Sequence, residues 1–112
     1  MNISLPPELD LDSLAKGLGL TTQAAKESLT IALENVLLID KKQQDYGPRN
    51  ISGFGTFGVI VRMNDKFERL KTIFGKGKSR RARNESVIDT FRDLSNYAII
   101  AHLVHTDKWP KE

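Results

Sequence analysis

The spacing of apolar side chains marks three helical segments, with a stretch of different character between the second and third. Leu11, Leu14, Ala15 and Leu18 recur at three- and four-residue intervals, the repeat of one helical face. Asp10 or Asp12 can cap this segment and Gly19 stops it, so a helix over 11–18 is predicted. Ala25, Leu29, Ala32, Leu33, Val36 and Leu37 then share a second face behind Thr21 or Thr22 as N-cap. They predict a helix of about five turns, to near Asp40. The polar stretch KKQQDYGPRN (41–50) contains Gly47-Pro48 and reads as a loop. A third helix, to about His105, is predicted from Val87, Phe91, Leu94, Ala98, Ala101 and Val104, with Asn84 or Ser86 as its cap.

Between the second and third helices the pattern favours extended chain. ISGFGTFGVIVR (51–62) is rich in β-branched and aromatic residues, interrupted by glycines of the kind that mark a bulge or a close backbone approach. Residues 63–66 read as a turn and FERLKTIF (67–74) as a returning strand. Phe67, Arg69, Lys71 and Ile73 then fall on one face and Glu68, Leu70, Thr72 and Phe74 on the other. The order helix, helix, strand, strand, helix places the chain in the α+β class. Residues 1–8, with Pro6 and Pro7, form an extended N-terminal arm. Residues 9–105 form the domain and 106–112 a polar tail. Trp109 in that tail either anchors a partner or folds back.

Composition narrows the function classes. The 112 residues suit one soluble domain, and no apolar run approaches a membrane span. The start, MNISLPPELDLDS, lacks the basic and apolar regions of a signal peptide, so a cytoplasmic protein is expected. Cysteine is absent, which excludes disulfides and thiolate metal sites. The net charge of +3 hides a strong asymmetry. Residues 62–83 hold 9 basic and 2 acidic side chains, while each flanking region carries a balance of −2. The nine are Arg62, Lys66, Arg69, Lys71, Lys76, Lys78, Arg80, Arg81 and Arg83, and such a cluster invites a polyanion.

The string GFGTF (53–57), placed after a helix pair with the turn Gly19-Leu20-Thr21, resembles the HU/integration host factor family of DNA-bending proteins. Phe74-Gly75-Lys76-Gly77-Lys78 is similar to the family's segment leading into its last helix. The resemblance implies an intertwined homodimer with two N-terminal helices, a small antiparallel sheet and a β-arm, followed here by an extended C-terminal helix. It implies a dimer core containing Phe54, Phe57 and Phe74, which one monomer alone would leave exposed. It places Arg62 at the base of the arm, and Lys76 and Lys78 beside phosphates. The sequence departs from the family in a short or missing arm, in having no proline between Pro48 and Pro110 to wedge between base pairs, and in a longer last helix. In an alternative register GKGKSRRARNES forms a degenerate arm and VIDTFRDL the closing segment.

The implied function is histone-like: duplex-DNA binding with little sequence specificity, shaping or compacting DNA in association with the nucleoid, in a cellular or a virus-encoded protein. The alternative is a structural or adaptor protein that uses the same fold for protein contacts. A helix-turn-helix reading of LAKGLGLTTQAAKESL makes the second helix the recognition element, with Gln23 and Lys26 reading bases, but its middle is mostly apolar. GKGKS (75–79) misses the spacing of a phosphate-binding P-loop, because position 72 is Thr. His102 and His105, with Asp107 nearby, lack an evident third metal ligand. No nucleophile has a persuasive acid–base partner, so no enzyme activity, cofactor, metal or small-molecule substrate is expected.

Overall fold

The computed structural model describes residues 3–75 and 84–111, and within them every regular element is a helix. These are α1 (Leu11–Gly17), α2 (Gln23–Tyr46), α3 (Arg49–Ser52), α4 (Gly55–Gly75) and α5 (Asn84–His105). The chain forms two compact units, residues 1–44 and 45–112.

In the first unit the end signals act as their chemistry dictates. The Asp10 carboxylate accepts the Ser13 backbone N–H at 3.2 Å and the Ser13 hydroxyl at 2.8 Å, capping α1. These hydrogen bonds hold its carboxyl below the usual carboxylate range. Gly19 takes a φ of 74°, and the N–H groups of Gly19 and Leu20 return to the carbonyls of Lys16 and Ala15. That pair of bonds is a Schellman turn, and it ends α1. Thr22 Oγ1 accepts the Ala25 N–H at 3.2 Å and starts α2. The buried positions of α2 are Asn35 and Leu38, whereas Val36, expected inside, is 55% exposed. The loop expected over 41–50 is a correction: α2 runs on to Tyr46 before Gly47, with a φ of 72°, ends it. Lys41 to Tyr46 contains no helix breaker, and Gln44 Nε2 donates to Asp40 Oδ2 one turn back at 2.9 Å.

The second unit overturns the α+β expectation. No strand, antiparallel sheet or β-arm exists among the described residues, so the HU/integration-host-factor-like fold does not describe this chain. The expected strands 51–62 and 67–74, and the turn 63–66 between them, are replaced by α3 and the single continuous helix α4. Gly55 of GFGTF, and Gly58 just after it, serve the start of α4 instead. Gly55 adopts a φ of 67° where α4 begins. A Cβ at Gly58 would lie 2.7 Å from the Cβ of Phe54, so only glycine fits where the chain doubles back at that junction. From 59 to 74 neither glycine nor proline interrupts the helix. Val59, Met63, Leu70 and Ile73 fall on one side at helical spacing, and three of the four are buried.

α4 and α5 pack as an antiparallel hairpin. Near one end Val59 and Ile100 join Ile51 and Trp109 in one buried cluster, and near the other Leu70 and Ile73 meet Val87, with Leu94 against them. Val59 is fully excluded from solvent. α5 ends on a second Schellman turn: Asp107 takes a φ of 60°, its N–H bonds Val104 O, and the Lys108 N–H bonds Leu103 O at 2.7 Å. This reversal turns Trp109 back onto the unit. Its indole N–H donates to Pro48 O at 3.0 Å, across 61 residues of chain, so the tail closes the fold.

Candidate nucleic-acid interface

The helical phase of α4 decides where the basic residues go. Arg62, Asp65, Lys66 and Arg69 stand at i, i+3, i+4 and i+7, which places them on one face over about 10 Å of helix. With Tyr97 from α5 they line an open groove of about 520 Å³. Arg62 and Lys66 are each set there by a neighbour. An Arg62 Nη2 N–H donates to Asn50 O at 2.9 Å, which orients the guanidinium and leaves its other donors available to a ligand. Lys66 Nζ sits 2.9 Å from Asp93 Oδ2, a half-buried ion pair that ties the middle of α4 to the middle of α5. Arg69 stands one turn further along the same wall. Three cations thus stand with the carboxylates of Asp65 and Asp93 beside an aromatic ring. Arginine and lysine donors of this kind can form charge-assisted hydrogen bonds to anionic oxygens.

The nine basic candidates separate accordingly. Arg62, Lys66 and Arg69 come together. Lys71 does not: it pairs with Glu68 at 3.3 Å and lies 5.9 Å over the Phe67 ring, on another side of α4. Lys76, Lys78, Arg80, Arg81 and Arg83 lie outside the described residues, in the stretch that joins α4 to α5. Phe54, Phe57 and Phe74 take no part in the core of a single chain, being 88%, 67% and 48% exposed. Sequence reasoning missed Asp65, Asp93 and Tyr97. Reading 62–69 as helix would have found Asp65, whereas Asp93 and Tyr97 become visible only once α5 is aligned against α4.

The first unit holds a groove of about 550 Å³ between α1 and α2, in which Asp12 and Glu27 offset Lys16 and Lys26. There Gln23 Nε2 donates to Glu27 Oε1 at 2.9 Å, so one of the two base-reading candidates is engaged within its own helix. Among the described residues no three His, Asp or Glu side chains gather as a metal site requires, His102 and His105 included. None of the described helices is long and apolar enough to cross a membrane. No family model, curated protein or solved structure matches the chain.

Proposed function

We propose that the second unit binds the phosphate backbone of nucleic acid, duplex DNA in the first instance, through Arg62, Lys66 and Arg69. The observation that carries this reading is their convergence, with Tyr97, on one groove of the α4–α5 hairpin. The same helix leads directly into the run containing Lys76, Lys78, Arg80, Arg81 and Arg83, which adds five positive charges next to α4 along the chain. Phosphate contacts position a duplex without reading its sequence, so binding is sequence-indifferent and weakens steeply with salt. The role is architectural, holding or compacting DNA by charge, and it uses neither a β-arm nor a wedging proline.

The test is fluorescence anisotropy with a labelled random duplex, from 50 to 200 mM salt. Replacing Arg62 and Arg69 together by Ala should weaken binding and lower the slope of log affinity against log salt by about 2. No binding by the unaltered protein at 50 mM salt would overturn the reading. So would an unchanged slope in the double variant. A second reading, a protein built for contacts with other polypeptides, is favoured by one observation: the apolar side of the same hairpin is uncovered.

A further inference from the structure

The side of the α4–α5 hairpin away from the basic groove is apolar and exposed. On α4, Ile60, Phe67 and Phe74 repeat every seven residues, with Phe57 one turn before the first. They are 49%, 53%, 48% and 67% exposed. On α5, Ile88 and Phe91 are 46% and 48% exposed. Going round α4 in the sense of increasing residue number, this strip follows the buried strip of Val59, Leu70 and Ile73 by about a quarter turn. On α5 the strip lies in the same sense from Val87, Leu94 and Ala101. Because the helices run antiparallel, both strips emerge on one side of the hairpin. The groove lined by Arg62, Lys66, Arg69 and Tyr97 opens on the other.

We infer that this face is covered by a second copy of the chain, two hairpins packing face to face as a four-helix bundle. Three observations select this occupant. The six side chains present roughly 600 Å² of apolar surface, taking about 150–250 Å² for a large side chain. That is at the upper end of the largest patch a typical monomer leaves open, about 300–600 Å², and patches of that size are often functional. A standard interface of about 800 Å² per partner, a little over half of it apolar, needs no more. Finally, a two-fold interface sets each group near its own kind, so a charged face would repel its copy. Here Lys71 lies among these side chains, and its charge is answered within α4 by Glu68 and by the Phe67 ring. The Phe57 and Phe74 expected in a dimer core belong to this face, whereas Phe54, ahead of α4, does not.

The geometry has a consequence for the proposed function, and this part alone rests on that reading. With apolar sides together, the two basic grooves point outward in opposite directions. Such a dimer joins two duplexes rather than bending one.

Sedimentation of the full chain from about 1 to 100 μM tests the interface without DNA. Twice the chain mass is expected at the upper concentrations. Phe67→Glu should give the monomer mass with unchanged helical circular dichroism, because Phe67 is half exposed in the single chain. Phe54→Glu should leave the dimer mass unchanged. Monomeric wild-type protein at 100 μM would overturn the inference, whether the face stays bare or is covered by the chain's own first unit. A dimer that survives Phe67→Glu, or one that Phe54→Glu dissociates equally, would also overturn it. A dimer that binds one labelled duplex but fails to pull down a second would overturn the face-to-face arrangement, whereas a dimer that binds no duplex would refute the phosphate reading and leave the bundle standing.

Discussion

Replacing Trp109 tests the architecture of the second unit most directly. The ring is 7% exposed and packs with Ile51, Val59 and Ile100, so it ties the tail to α3, the start of α4 and the end of α5. Trp109→Ala removes that apolar volume and leaves a cavity between three helices, for an expected loss of about 3–5 kcal/mol. Trp109→Phe keeps most of the ring contact and loses the indole N–H. Pro48 O retains the Ile51 N–H at 3.2 Å, so it is not orphaned, and the loss should be nearer ~1–2 kcal/mol. With a urea slope of about 1 kcal/mol per molar for a unit this small, the alanine variant should unfold roughly 3 M earlier or be unfolded already in buffer. Because the substitution removes the only tryptophan, the assay is urea unfolding followed by far-UV circular dichroism. If the alanine variant unfolds within about 0.5 kcal/mol of the wild type, the tail does not close the fold and the core assignment fails.

Gly58→Ala should destabilise the second unit by about 1–3 kcal/mol despite alanine's better helix propensity, because the new methyl meets the Cβ of Phe54; a rise in melting temperature would refute the close approach. Asp107→Gly should raise stability by about 0.5–1 kcal/mol, measured by urea unfolding, since glycine occupies a φ of 60° without steric cost. Asp10 has a carboxyl held below its ordinary range by the Ser13 hydrogen bonds, so its contribution is complete above that range. The contribution fades as pH falls through the lowered value. Asp10→Asn should therefore flatten the acid limb of helicity in α1, read from NMR shifts of 11–17; an unchanged limb would show that the cap does not couple to proton binding.

The helices legible in the sequence were those whose ends carry distinct chemistry. Asp10, Gly19 and Thr22 punctuate α1 and α2, and α5 shows a clean three-four repeat. α4 was illegible for two physical reasons. Its first turns carry glycines and the run Val59-Ile60-Val61, whose local preference is extended and is overridden by packing against α5. It is also apolar on two sides, the core side and the exposed strip, so no single polar face stands out, while the inward-leaning Lys66 interrupts the core repeat. That lysine is tolerated because Asp93 meets it, and the partner lies 27 residues away. The candidate site was legible as a basic segment but not as a groove. Arg62, Lys66 and Arg69 are seen to converge only when 62–69 is helical, and Tyr97 needs the hairpin.

The division into two units is matched by a division of chromophores. Every phenylalanine, tyrosine and tryptophan lies beyond residue 44, in the second unit, and the first has none. Near-ultraviolet absorption and intrinsic fluorescence are therefore blind to α1 and most of α2, while amide circular dichroism sees both units. Melting curves from the two methods will superimpose only if the units unfold together, and the gap between them measures their independence with no label attached.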